Sequence, residues 1–436
     1  MTSTAIPEEP SVRSLLTEMR TIDMPDVYRR FAEVIGPKHW RDRVAKMKGA
    51  IKSNRFLSDY LRTENSIAFA LDRCGDVIAH YGRLPDEEAA TRALYPAIGF
   101  AGQVLSMMEL ATPVEAERLR KRVQDTLKNP DSMRGYLLEL GVATHFARRG
   151  HTLEWPEMVG LGTFDLLVTD LAGNGLEIEC KSVSADKGRR VHRPEALEFL
   201  NLLWPELAPI RKSLRTGLSV VLTVPGRLPT RYADRAALAR RIRQQINIGQ
   251  SARFEDGSDI RITEFHVGRL GDIASDGRPE RVRDAIENVT ATQNREGMLT
   301  GTDAGGALAF VVQSAVNDDF MDTTFDTLSE ASKRQLTGTR PGILIAGFDS
   351  LDAEQLLSIA RQDRDPQKTP TALARKVSKF LSAEHRDHVV GVGFLSRGAQ
   401  VPSIDGLLDN DGTAYYFPKR QSPFWHDDFS GLFNRH

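Results

Sequence analysis

The stretch from Gly162 to Ser182 constrains the fold most, because it predicts two short strands joined by a tight turn. Phe164 to Thr169 is a compact apolar run, and Leu176 to Ser182 alternates apolar and polar residues as a half-buried strand does. Between them lies Ala172-Gly173-Asn174-Gly175, and glycine and Asn-Gly favour the positive φ angles that hairpin turns require. The sequence therefore predicts an antiparallel hairpin.

Three charged side chains come together if the turn is centred near Gly173. That register sets Asp165 opposite Lys181 and diagonal to Glu179, where neighbours lie roughly 5 to 8 Å apart. A slip of one residue would send Asp165 to the other face of the sheet. We therefore expect two carboxylates and an ammonium group to share one small region, provided that the register holds.

A helix predicted from Ser132 to Arg149 carries an acid without a local partner. Glu139 has no basic residue three or four positions away, so the helix itself cannot neutralise it. A buried acid on this surface needs a basic side chain or a metal from elsewhere, and the alternative is an acid that protrudes at the helix edge.

Composition narrows the class of protein. The chain has 436 residues and a formal charge of -1, which suits a globular protein of two or three domains and argues against a uniformly basic nucleic-acid coat. Its two cysteines, Cys74 and Cys180, exclude a disulfide framework and a cysteine-rich zinc site. With neither a signal-peptide pattern nor an apolar run of membrane-spanning length, we expect a cytoplasmic protein without a membrane partner.

The patterns predict an α/β protein in three parts. Residues 1–128 form a helical N-terminal region, 129–270 an α/β core, and 271–436 a C-terminal α/β region that either extends the core sheet or forms a second sheet. Besides the hairpin, the predicted strands are Gly217 to Pro225, Asp259 to His266, Ala307 to Gln313, Pro341 to Phe348, His388 to Ser396 and Thr413 to Pro418.

Basic residues follow the hairpin and are candidates for phosphate contact, with ordinary loop and helix solvation as the alternative. They are Lys187, Arg189, Arg190, Arg193, Arg240, Arg241 and Arg243. A further basic cluster at Lys46, Lys48, Lys52 and Arg55 is more typical of a solvated helix face than of a nucleic-acid contact. The acids near residues 318 and 427 lack a complete ligand spacing and are interpreted as helix caps or solvated tail.

The ordered set of a helix acid, a strand aspartate, a glycine turn and Glu179-Cys180-Lys181 resembles the PD-(D/E)XK nuclease superfamily. The resemblance covers about Ser132 to Arg269. It implies a restriction-endonuclease-like core, in which a mixed sheet is flanked by helices. This chain departs from the family motif at Phe164, which stands where proline precedes the aspartate.

The resemblance implies a site as well as a fold. Carried over by position, Asp165, Glu179 and Glu139 would be metal ligands for Mg²⁺ or Mn²⁺, and Lys181 would lie near the attacking water. Carboxylate oxygens suit these hard cations. We therefore expect a Mg²⁺-dependent endonuclease acting on nucleic acid, with DNA favoured, plausible in prokaryotic antiviral defence and able to act as a homo-oligomer or with a partner protein. The alternatives are a catalytically inactive nucleic-acid-binding or partner-binding protein and an RNA-directed effector nuclease.

Overall fold

The computed structural model describes residues 23–83, 92–271, 279–292, 296–398, 400–402, 408–410 and 412–433. The chain divides into two compact units, each assembled from separate segments. Unit 1 comprises Met1–Lys46, Glu64–Ala185 and Met321–His436, and unit 2 comprises Met47–Thr63 and Asp186–Phe320.

The first part of the chain is helical, as the sequence predicts. Its helices are α1 (Met24–Ile35), α2 (Lys38–Ser53), α3 (Leu57–Glu64), α4 (Ser66–Tyr81), α5 (Tyr95–Leu110), α6 (Pro113–Thr126) and α7 (Pro130–Arg148). Helix α6 begins at a capping box, in which Glu115 N–H donates to the Thr112 hydroxyl and the Glu115 carboxylate accepts from Thr112 N–H. Helix α7 carries Glu139.

Unit 1 contains a six-stranded mixed sheet. Its members are β1 (Leu153–Glu154), β2 (Leu166–Val168), β3 (Leu176–Val183) and three strands from much later in the chain. In spatial order the sheet continues from β3 to a strand at Gly342–Phe348, then to Val389–Ser396 and to Ala414–Pro418. β3 pairs in parallel with the strand at Gly342–Phe348, whereas β2 and β3 form the predicted antiparallel hairpin.

Helices cover both faces of this sheet. Ile178 and Cys180 share a cluster of buried side chains with the N-terminal helices, and Leu140 and Ala143 of α7 belong to that cluster. The residues of β3 alternate between faces, so Glu177 and Glu179 point to the opposite side. On that side Glu177 is fully buried, and its carboxylate accepts hydrogen bonds from the backbone N–H and the hydroxyl of Thr337.

Unit 2 is a second α/β assembly. Helix α8 (Pro156–Val159) belongs to unit 1. Unit 2 contains the helices α9 (Arg193–Glu206), α10 (Ala208–Ser213), α11 (Tyr232–Ile248) and α12 (Pro279–Thr290). Its five strands are β4 (Gly217–Val224), β5 (Ala252–Arg253), β6 (Asp259–Phe265), β7 (Glu296–Gly301) and β8 (Ala307–Ser314), in the spatial order β5-β6-β4-β8-β7. Phe199 and Leu200 of α9 pack with Val220 of β4 and Phe310 of β8 in its core.

The remaining elements return the chain to unit 1. They are the helices α13 (Phe320–Arg334), α14 (Ala353–Arg364) and α15 (Ala372–Leu381), the sheet strands β9 (Gly342–Phe348), β10 (Val389–Ser396) and β13 (Ala414–Pro418), and the two-stranded pair β11 (Gln400–Pro402) and β12 (Leu408–Asn410). Phe325 of α13 contacts Phe394 of β10 with ring centroids 6.3 Å apart, so α13 packs on the sheet face that carries Glu179.

The structure divides the chain differently from the three-part organisation predicted at residues 128 and 270. Strands β4 and β6 pair with each other, and β4 pairs with β8, so none of them joins the hairpin. The parallel neighbour of β3 is β9, and the C-terminal strands therefore extend the hairpin sheet. Apolar periodicity identifies both β4 and β9 as buried strands, but it carries no information on which of them lies beside β3.

The α/β class is confirmed, with two mixed sheets and helices packed against them. Within the described ranges, no helix is both long enough and apolar enough to cross a membrane.

Candidate functional site

The hairpin register differs from the predicted one by two residues. Leu166 pairs with Ile178, which sets the preceding residue, Asp165, opposite Glu179 rather than opposite Lys181. The turn is centred one residue earlier than Gly173, and in it Ala172, Gly173 and Gly175 adopt positive φ angles of 53°, 71° and 83°. A shift of two residues preserves the face on which each side chain lies. Asp165 and Glu179 therefore remain neighbours.

The Asp165 side chain takes part in the pairing of the hairpin strands at the point where the backbone pairing ends. β2 begins at Leu166, and the Asp165 Oδ2 atom accepts the Cys180 backbone N–H at 2.8 Å in place of a backbone carbonyl. Because ladder hydrogen bonds run in the plane of a sheet, this contact holds the carboxylate close to that plane. Acids from either face of the sheet can approach it there.

Glu179 is fully buried, with 0% of the residue exposed. Its Oε1 accepts from Lys181 Nζ two residues along the same strand, and the Lys181 side chain is 24% exposed. Glu179 Oε2 is buried and has no hydrogen-bond partner in the described part of the chain. A buried carboxylate oxygen without a partner is costly, so this atom is a candidate ligand atom.

Glu139 is also buried, and its partner comes from the preceding helix. Arg122 Nη2 of α6 lies 2.5 Å from Glu139 Oε2, and the same guanidinium lies 5.2 Å from the ring centroid of Tyr136. Among the described residues, no donor forms a hydrogen bond with Glu139 Oε2. We regard the contact as an ion pair. It supplies the distant basic partner that the sequence of α7 lacks.

Burial dominates the electrostatics of the three acids. Burial, the larger cause, and the nearby Asp165 carboxylate together raise the pKa of Glu139 and that of Glu179 from 4.5 to about 8. Burial raises the pKa of Asp165 as well, although the Cys180 N–H donor and Lys181 oppose that shift. When ionised, these carboxylates repel one another, and a bound cation would reduce that repulsion.

The residues fit a divalent cation in chemistry more closely than in spacing. Three buried carboxylates with an unpartnered oxygen are the hard ligands that Mg²⁺ and Mn²⁺ prefer. In their present positions, however, the described residues contain no group of three His, Cys, Asp or Glu side chains arranged to hold a metal ion. Lys181 occupies Glu179 Oε1 and Arg122 lies against Glu139, so a cation would have to displace these contacts.

The seven basic residues predicted for phosphate contact all belong to unit 2, whereas the four residues of the carboxylate site belong to unit 1. Acids neutralise several of them. Arg189 lies 2.8 Å from Glu296 and 3.3 Å from Asp186, and Arg193 lies 3.7 Å from Glu296. Further pairs join Arg241 to Asp256 and Arg243 to Glu206, and the Arg190 backbone N–H donates to Asp318. Arg240 is exposed and Lys187 is half-buried.

Sequence reasoning missed Arg122 and Tyr136. The lone Glu139 indicated that a partner was needed, but no spacing connects it to a residue on another helix 17 positions earlier.

Comparisons with family models, with curated proteins and with solved structures found no match to this chain.

Proposed function

We propose that this protein is a divalent-metal-dependent nuclease that hydrolyses phosphodiester bonds, with DNA as its substrate. Three buried carboxylates carry the proposal: Asp165 lies opposite Glu179 and raises the pKa of both Glu179 and Glu139. Lys181 donates to Glu179 Oε1, and Glu179 Oε2 is buried without a hydrogen-bond partner among the described residues. Retaining so costly a cluster of buried acids is the kind of destabilisation that functional sites impose.

The fold around this cluster supports a restriction-endonuclease-like assignment for unit 1. Helix α7 precedes the hairpin, the hairpin carries the aspartate and the Glu-x-Lys sequence, and β3 continues through α13 to a parallel neighbour, β9. This is the order of elements that the family resemblance implies. Residues 186–320 of unit 2 would then be an insertion between the hairpin and the crossover helix.

The side chains divide the chemistry among themselves. Asp165 and Glu179, with Glu139, would hold Mg²⁺ or Mn²⁺, which when bound would polarise the scissile phosphate and lower the pKa of water. Lys181 Nζ donates to the developing negative charge and orients the attacking water. Water adds to phosphorus, the ester bond to the sugar oxygen breaks, and the alcohol departs with a proton. Arg122 lies where it can balance charge at Glu139.

Cleavage assays test this proposal directly. Plasmid, linear and single-stranded DNA and RNA are incubated with the protein in Mg²⁺, in Mn²⁺ or in EDTA. We expect cation-dependent cleavage of DNA that is lost in Lys181→Ala and retained in Lys121→Ala, an exposed lysine on α6. Absence of cleavage of every substrate by folded wild type would refute the activity. Cleavage by Lys181→Ala at the wild-type rate would refute the site.

A second candidate function is nucleic-acid binding without catalysis. It is favoured by one observation, that no described set of three acidic, histidine or cysteine side chains has metal-binding spacing as it stands. Calorimetric titration with Mn²⁺ separates the two candidates. A nuclease should bind the cation through Glu179 and lose that binding in Glu179→Gln, whereas a binding protein should show no heat that depends on Glu179.

A further inference from the structure

Two arginines of unit 2 stack on one tryptophan. The guanidinium carbons of Arg55 and Arg211 each lie 3.7 Å from the ring centroid of Trp204. Arg55 follows the end of α2, Arg211 belongs to α10, and Trp204 lies near the end of α9. Phe56 meets the indole edge-on at 5.7 Å. Three separate segments thus build this arginine-tryptophan cluster.

Backbone and buried polar contacts hold the cluster in place. Asn54 is buried, its side-chain amide donates to the Leu197 carbonyl of α9, and its Oδ1 accepts from Phe56 N–H at 3.0 Å. This anchors the segment that carries Arg55 against the helix that carries Trp204. On the other side, Asp303 N–H donates to the Arg211 carbonyl at 2.9 Å. The two arginines are therefore presented by fixed backbone.

The charges of the cluster are not balanced by acids. Among the residues that the structure describes, neither Arg55 nor Arg211 forms an ion pair, and Arg211 Nε is buried without a hydrogen-bond partner. Other arginines of unit 2 differ, because Arg235, Arg241 and Arg243 each pair with an acid. Two like charges held against one ring repel each other, and anions bound to the two guanidinium groups would reduce that repulsion.

Exposed bases lie beside the cluster in sequence. Lys52 precedes Arg55 by one helical turn, and Lys212 and Arg215 follow Arg211, and all three are exposed. Two guanidinium groups without an ion pair among the described residues, with exposed bases one to four positions away in sequence, match the spaced phosphates of a nucleic-acid backbone better than one small anion. The guanidinium groups cover the indole surface that a base would need for stacking, which argues against base recognition.

We propose that the arginine-tryptophan cluster of unit 2 binds the phosphate backbone of nucleic acid independently of sequence. Arg55 and Arg211 contact phosphate oxygens, and Trp204 fixes the orientation of both guanidinium groups. The site consists of unit 2 residues alone. It shares a partner with the proposed nuclease function, but it requires neither a metal nor cleavage.

Binding in EDTA tests the inference apart from catalysis. The affinity of the full-length protein for a short fluorescein-labelled DNA duplex is measured by anisotropy across a range of KCl concentrations. The slope of the logarithm of the association constant against the logarithm of the salt concentration is negative, and each lost phosphate contact makes it less steep by about 0.9. We therefore expect Arg55→Ala/Arg211→Ala to flatten the slope by about 2 and to weaken binding roughly tenfold or more at low salt.

A matched control is Arg253→Ala, which removes one exposed arginine of the same unit outside the cluster. It should leave the slope within error of wild type. The Arg55→Lys/Arg211→Lys variant retains charge and should recover most of the slope, which separates loss of phosphate contact from loss of fold. Equal losses on an RNA duplex would support contact with phosphate.

A wild-type slope in the double alanine variant would overturn the inference, as would an absence of DNA binding by wild type in EDTA. Failure of the nuclease proposal would instead appear as absent cleavage in Mg²⁺ with the salt slope unchanged. The two failures are therefore distinguishable.

Discussion

Replacing Glu179 with glutamine should stabilise the cation-free protein at high pH. Glu179 is 0% exposed, and burial together with the Asp165 carboxylate raises its pKa from 4.5 to about 8. In the folded state this acid resists ionisation, whereas in the unfolded chain it ionises freely. Its contribution to stability is therefore complete below pH 4.5 and is lost as the pH rises through about 8.

The size of the effect follows from the pKa shift. At about 1.4 kcal/mol per pKa unit, holding Glu179 ionised in the fold costs on the order of 5 kcal/mol. That figure already includes the opposing ion pair with Lys181, whose side chain is 24% exposed, and it is an upper limit because relaxation and water entry reduce the cost of a buried charge. We expect Glu179→Gln to raise the free energy of unfolding by about 2 to 4 kcal/mol at pH 9 and by less than about 1 kcal/mol at pH 5.

Urea denaturation in EDTA, followed by circular dichroism from pH 5 to pH 9, measures this difference. The control is Glu157→Gln, which removes an exposed acid that contributes to the same electrostatic cluster. It should change stability little at any pH. If Glu179→Gln were less stable than wild type at pH 9, ionisation of the buried carboxylate would not destabilise the fold. The electrostatic reason for a cation to bind there would then be absent.

Three further predictions concern the same region. Mn²⁺ affinity measured by calorimetry should rise about tenfold per pH unit between pH 6 and pH 8 for each proton displaced from Glu139 or Glu179, because the raised pKa values keep these acids protonated in the cation-free protein. Arg122→Gln should lower the free energy of unfolding by about 1 to 3 kcal/mol at pH 9 and change it little at pH 4, because the guanidinium, 25% exposed, stabilises ionised Glu139. The control is Arg120→Gln, which removes a surface ion pair with Glu117 on the same helix. Equal losses of stability in the two variants during denaturation would contradict this prediction. Thr337→Val removes the hydroxyl donor to buried Glu177 and should cost about 1 to 3 kcal/mol in thermal denaturation while leaving Mn²⁺ binding intact.

The carboxylate cluster lies wholly in unit 1 and the arginine-tryptophan cluster wholly in unit 2. Cation binding and hydrolysis test the first, and salt-dependent DNA binding in EDTA tests the second. A protein with both properties would divide chemistry and substrate binding between its units.

Local sequence accounts for much of the secondary structure. The hairpin strands, the capping box at Thr112 and the strand at 259–265 follow from residue patterns within a few positions of each other. Side-chain alternation in β3 is likewise local, so placing Glu179 and Lys181 on one face required only that Leu176 to Ser182 be extended. Such features depend on short-range sterics and hydrogen bonds.

Tertiary structure decided what local patterns do not encode. It chose β9 rather than β4 as the parallel neighbour of β3, and it delivered Arg122 from another helix to Glu139. It also placed Arg55 and Arg211 against Trp204. In each case the sequence indicates that an apolar strand or a charged side chain needs a partner, but it does not indicate which one. Long-range packing determines the partner, because the free energy of burial depends on buried area and shape and not on separation along the chain.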